Sequence, residues 1–135
     1  MEKFKFLKHT ADIKFRAFGK NAEEVFGNSF LALKHVIYGG KIKKKKKIKI
    51  KAKGKDFESL LYNFLEEFLF LFDSRNFLFS EIKKLKIKEF QIEAEVFGDD
   101  AKNYKINQHV KAVTYNEMFV KKQGKKWIAQ VVVDI

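Results

Sequence analysis

Apolar residues recur along this chain at two spacings, near 3.6 and at two, and they divide it into helices and strands. A short FKFL strand comes first. The run IKFRAF then sets Ile13, Phe15 and Ala17 against Lys14 and Arg16, the alternation of a half-buried strand. After Gly19, Asn21 followed three residues later by Glu24 predicts a helix start with asparagine as its cap. Ala22, Val25, Phe26, Ser29, Phe30, Leu33, Val36 and Ile37 continue at helical spacing, and Gly39-Gly40 is the expected stop.

Further on, Ile48, Ile50 and Ala52 alternate with Lys49, Lys51 and Lys53, which predicts a strand with one face of ammonium groups. Asp56 is placed to cap a second helix, whose buried stripe is Leu60, Leu61, Phe64, Leu65, Phe68, Leu69 and Phe72. Glu66 and Glu67 are read as its solvated edge. From Glu81 onward LKIK and FQIEAEVFG alternate again, and Asp99-Asp100 after Gly98 suggests a turn. Val110 to Tyr115, Glu117 to Lys121 and Trp127 to Val133 complete the strands, with Gln123-Gly124 as a hairpin loop. The expected class is α+β: one domain over 1–135, a largely antiparallel or mixed sheet system with two helices packed on it.

Composition supports folding rather than disorder. Of 135 residues, 46% are hydrophobic and 16 are phenylalanine, enough apolar surface for a real core. No proline, linker or repeat divides the chain. Cysteine is absent, which excludes disulfides, thiolate metal sites and cysteine nucleophiles. Met1 to Leu7 alternates charge with phenylalanine, so no signal peptide is expected. LLYNFLEEFLFLF is interrupted by Asn63, Glu66 and Glu67 and falls short of the roughly 20 residues of a membrane span. The expectation is a cytoplasmic protein with no membrane partner.

The net charge of +12 favours polyanionic partners. A lysine-rich genome accounts for it equally well. Lys43, Lys44, Lys45, Lys46 and Lys47 form the densest run and are candidates for nucleic-acid contact, although no aromatic residue interleaves with them for base stacking.

Catalytic signatures are missing: there is no phosphate loop, HExxH, GxSxG or CxxC. His9, His35 and His109 lie far apart in sequence, and a zinc site would require all three to converge. What remains is carboxylates at strand ends. Asp12 opens the second strand, and Asp134 closes the last, next to an α-carboxylate expected on Ile135. Hard cations such as calcium or magnesium take oxygen ligands of this kind. If Asp12 faces Asp134 across the sheet, the cluster demands a cation, either a metal or a lysine. Caps and exposed strand ends are the simpler reading of the same residues.

The stretch HTADIKFRAFG, His9 to Gly19, resembles the N-terminal signature of the archease family. NAEEVF, DFESLLYNFLEEFLFLF, HVKAVTYNEMFV and WIAQVVVDI follow in the family's order, so the resemblance spans nearly the whole chain. Archeases are protein cofactors of the tRNA splicing ligase, which joins RNA ends through a nucleotidylated histidine. The resemblance implies a non-enzymatic protein that speeds guanylylation of the ligase and allows multiple turnovers. It also implies that Asp12, Asp134 and Lys111 are functional, and that the aspartates hold a divalent cation associated with calcium, magnesium being the alternative; Ile135 is added to that ligand set. The position before HTAD, often acidic in the family, is Lys8 here.

Two rival readings stand beside this one. A binding module could grip tRNA through its lysine strand while escorting a tRNA cytosine-5 methyltransferase, a chaperone-like role to which the family has been linked. A metal-dependent hydrolase built on Asp12 and Asp134 is disfavoured, because neither a general base nor a nucleophile accompanies the carboxylates.

Overall fold

The computed structural model describes residues 2–8 and 11–135, so His9 and Thr10 of the HTAD stretch lie outside the described residues. Seven strands and two α-helices follow in the order β1 (Phe4–Leu7), β2 (Ile13–Gly19), α1 (Ala22–Ile37), β3 (Lys46–Lys53), α2 (Phe57–Arg75), β4 (Phe77–Lys88), β5 (Gln91–Asp100), β6 (Ala112–Gln123) and β7 (Lys126–Asp134). A short 3-10 turn, Ala101–Asn103, follows β5. The strands form two antiparallel sheets, ordered β1-β2-β7-β6 and β3-β5-β4. The class is therefore α+β, as the alternation predicts.

Local chemistry sets both helix starts. Asn21 Oδ1 accepts the Glu24 backbone N–H at 2.8 Å. Asp56 Oδ1 accepts from Ser59 N–H at 2.8 Å, while the Asp56 N–H donates to Ser59 Oγ at 3.2 Å, a complete capping box. The helices lie between the sheets. Helix α1 packs on β2 and β7 of one and β4 of the other; α2 packs on β6 and on β3, β4 and β5. The leucine and phenylalanine stripe of α2 is core, with Leu60, Leu61, Phe64, Leu65, Phe68 and Leu69 buried and Phe72 half-buried. At the centre the Phe30 ring meets Phe68 at 4.8 Å and Phe79 at 5.4 Å, joining α1, α2 and β4. Each such ring contributes about 1.5–3 kcal/mol on burial.

Four boundaries differ from the pattern. Helix α1 stops at Ile37, with Tyr38 in extended backbone; Lys34 Nζ donates to the Gly40 carbonyl at 2.8 Å, so the glycine pair is not the stop. Strand β4 begins at Phe77 rather than at Glu81. Phe77, Leu78 and Phe79 are all buried, so they do not alternate and look like a continuation of the helical stripe. Left-handed Asn76, at φ 52°, makes the break.

Asp99 and Asp100 are not a turn but the end of β5, opposite Leu78 and Phe77. Asp99 is only 3% exposed, and the Tyr104 O–H donates to its Oδ2 at 2.8 Å. That bond, with the Asp100 N–H and Asn103 Nδ2, holds the Asp99 carboxyl below its usual range, against the opposing effect of burial. Finally, the two expected strands after Val110 are one strand, β6, whose register with β7 shifts between Thr114 and Phe119, with Glu117 at φ 55°. No helix among the described residues is long and apolar enough to cross a membrane.

Candidate functional site

Strand β7 runs between β2 and β6, so residues at one end of this trio come from three distant parts of the chain. Ile13 pairs with Val133, and extending that register by one residue sets Asp12 opposite Asp134. On the other side Ala112 pairs with Asp134, and the Lys111 N–H donates to the Asp134 carbonyl at 2.8 Å. The backbone thus gathers Asp12, Lys111 and Asp134 at a single sheet end. Asp12 is half-buried, while Lys111 and Asp134 are exposed. Ile135 follows at the same end and turns its side chain onto the core, half-buried.

Lys8 and Asp12 line one shallow hollow of about 370 Å3 whose other walls are Phe6, Leu7, Ile13 and Val36. Lys8 therefore stands beside the aspartate in space as well as in sequence. Among the described residues no three His, Cys, Asp or Glu side chains group into a metal site. The donors gathered at the tip are oxygens, which suits a hard divalent cation. Calcium takes six to eight such ligands, so two aspartates would leave most of its shell to backbone carbonyls, water or a docked partner.

Pattern reading missed the groups that hold β6 in place, of which one lies at this end. Strand β6 is an edge, and its outer side faces α2. Glu66 Oε2 accepts the Val113 N–H at 2.7 Å, and Glu58 Oε2 accepts the Val120 N–H at 3.0 Å. Glu66 is half-buried and bound to backbone, which corrects its reading as solvated edge. Its position directly after Leu65, inside the apolar stripe, was the available signal. Buried Gln130 is the second such group: Arg16 Nε donates to its Oε1 at 2.9 Å, and its Nε2 donates to the Glu117 carbonyl at 2.7 Å, securing the irregular stretch of β6.

The Lys43 to Lys47 run belongs to the other sheet. All five residues are exposed, the first three leading into β3 and Lys46 and Lys47 opening it. Lys44 Nζ lies 2.9 Å from Glu81 Oε2 and over the Phe97 ring, and Lys47 Nζ lies 3.6 Å from Glu95. Two of its five ammonium groups are thus matched within the fold. His35 packs against both the Phe4 and Phe6 rings and His109 lies 3.5 Å from Asp73, both exposed.

Comparison with known proteins places the chain among small proteins of one kind. Residues 4–135 match the profile of the "Archease protein family (MTH1598/TM1083)". A protein archease of Methanosarcina barkeri is 41% identical, over 99% of this chain and 97% of its own. That of Pyrococcus abyssi is 37% identical over the full length of both. The solution structure of Methanobacterium thermoautotrophicum protein 1598 superposes with a TM-score of 0.84 at 31% identity, covering 100% of both chains. A Thermotoga maritima crystal structure, titled an archease and possible chaperone, shares the fold with a TM-score of 0.70 at 18% identity, over 96% of this chain and 94% of its own.

Proposed function

The chain belongs to the archease protein family, and from that premise we propose that it is a non-catalytic activator of the tRNA splicing ligase, promoting guanylylation and repeated turnover. The supporting observation is the meeting of Asp12, Lys111 and Asp134 at one end of β2, β7 and β6. Three signature positions, over a hundred residues apart at their extremes, reach one tip because β7 is central.

In this reading Asp12 and Asp134, with Ile135 beside them, hold a divalent cation, calcium or alternatively magnesium. A bound cation supplies positive charge where phosphate charge develops. The chain's own residues supply the rest. Asp12 and Asp134 form an acidic tip on an otherwise basic protein, and the exposed Lys111 ammonium is offered to a phosphate of the nucleotide or the ligase site. The tip docks at the mouth of the ligase active site, and the ligase's own histidine does the chemistry. The second reading, a chaperone-like escort of a tRNA cytosine-5 methyltransferase, draws support from the lysine content and would use Lys43 to Lys47.

The test is ligation of tRNA halves with substrate in excess over ligase. The wild-type protein should sustain turnover, and Asp134→Ala should bring the rate down to that of ligase alone. Undiminished stimulation by Asp134→Ala sinks the proposal.

A further inference from the structure

The sheet opposite the tip has one face that the ligase reading does not use. Its inner positions, Ile50, Ile92, Ala94 and Val96, are buried beneath the helices. Outward, β3 presents Lys47, Lys49, Lys51 and Lys53, and β4 presents Lys84, Lys86 and Lys88. The register arranges them in cross-strand rows: Lys49, Glu95 and Lys84; Lys51, Glu93 and Lys86; Lys53, Gln91 and Lys88. Register shifts in β4 between Phe79 and Glu81 and between Ile82 and Lys84 bring its lysines onto this face.

Seven lysines therefore meet the two glutamates of the central strand and, in the Lys47 row, Glu81 of β4, a local excess of four positive charges. Both central-strand glutamates are already engaged, Glu93 with Lys51 at 3.3 Å and Glu95 with Lys47 at 3.6 Å. Between the lysine rows lies an open trough of about 640 Å3, lined by Lys49, Lys84, Lys86, Glu93 and Glu95. Lysine on edge strands ordinarily blocks edge-to-edge pairing, and one or two would serve. Here every outward position from 47 to 53 and from 84 to 88 is lysine.

We propose that this face binds duplex RNA through its phosphates, without reading sequence. Along each strand the lysines recur about every 6.6 Å, and the two rows stand about 10 Å apart across the central strand. A flat face with two cationic rows suits the two backbones bordering the wide, shallow minor groove of an A-form helix. The B-DNA minor groove, about 6 Å wide, is too narrow for that spacing. Phe97, opposite Lys47, is the one ring that the register sets on this face among the described residues, and a single ring gives no platform for successive single-stranded bases. The inference does not rest on the ligase reading: the residues are on the other sheet, and either can fail alone.

The experiment is fluorescence anisotropy with a labelled 16-base-pair RNA duplex and the DNA duplex of the same sequence. Wild-type protein should bind RNA with an affinity falling about 10^3-fold or more between 50 and 200 mM salt if about six phosphates are contacted. Lys49→Gln/Lys51→Gln/Lys84→Gln/Lys86→Gln should weaken binding more than tenfold. Lys102→Gln/Lys105→Gln/Lys122→Gln/Lys125→Gln, an equal charge loss at exposed positions outside this face, should weaken it less than threefold. RNA should also protect Lys49, Lys51, Lys84 and Lys86 of the wild-type protein from amine acylation, a readout that needs no variant to fold. Asp134→Ala should bind RNA as wild type does. Equal losses in the two quadruple variants overturn the proposal. So do equal affinity for DNA, and binding to phosphatidylserine vesicles without binding to RNA.

Discussion

Glu66 is the residue whose removal should reveal how the tip is held. Its carboxylate accepts the Val113 N–H at 2.7 Å, and Val113 is 1% exposed, two residues along from Lys111. Glu66→Ala removes a hydrogen bond to a charged acceptor, of the kind that contributes about 1.5–3 kcal/mol, and leaves a buried donor without its partner. For a chain of 135 residues, an unfolding entropy near 2.1 cal/mol/K per residue makes 1 kcal/mol roughly 3.5 °C in melting temperature. The expected fall is therefore about 5–10 °C. Glu66→Gln keeps an acceptor oxygen but loses the charge, and should recover more than half of that loss. The assay is thermal unfolding followed by circular dichroism at neutral pH, with hydrogen exchange at the Val113 amide. A Glu66→Ala protein that melts within about 1 °C of wild type, or that leaves Val113 protection unchanged, refutes the reasoning. Equal melting temperatures for the alanine and glutamine variants would show that the carboxylate's charge, and neither its volume nor a neutral acceptor oxygen, decides.

Two more predictions concern the other end of β5. Asp99 is held below its ordinary value of 3.8, chiefly by the Tyr104 hydroxyl, so the stability it contributes is present above that value and is lost as pH falls through the depressed one. Tyr104→Phe should lower the melting temperature at pH 7, and the difference from wild type should shrink below about pH 3.8. Some difference should persist there, because the same hydroxyl also accepts the Lys43 N–H at 2.8 Å; a difference constant from pH 7 to pH 2.5 would contradict the assignment. At Gly98 an added methyl would come within 2.5 Å of the Phe77 ring and press on the Leu78 carbonyl. Gly98→Ala should cost about 1–3 kcal/mol, read as the urea midpoint at unchanged slope; a midpoint equal to wild type would show that Phe77 yields freely.

Much of this protein is legible in its sequence, and the parts that are not share a cause. The two helices with their caps and stripes, and most of the strands, follow from period and capping chemistry, because those signals are local. The errors fall where burial removes alternation, as at Phe77 to Phe79, or where a polar residue is bound by something far away. Asp99 looks like a turn residue because a buried, bonded aspartate and a solvated one are the same letter. Glu66 looks solvated for the same reason.

The candidate tip divides along the same line. Sequence alone determined that Asp12 and Asp134 stand at strand ends, and its resemblance to the family singled them out together with Lys111. It also determined the alternating lysines of β3. Only the tertiary structure decided that β7 lies between β2 and β6, which turns three separate positions into one tip. Only the register of β3, β5 and β4 decided that two lysine strands share a face. Side-chain period is written residue by residue along a chain, whereas strand order and register depend on contacts between segments dozens of residues apart.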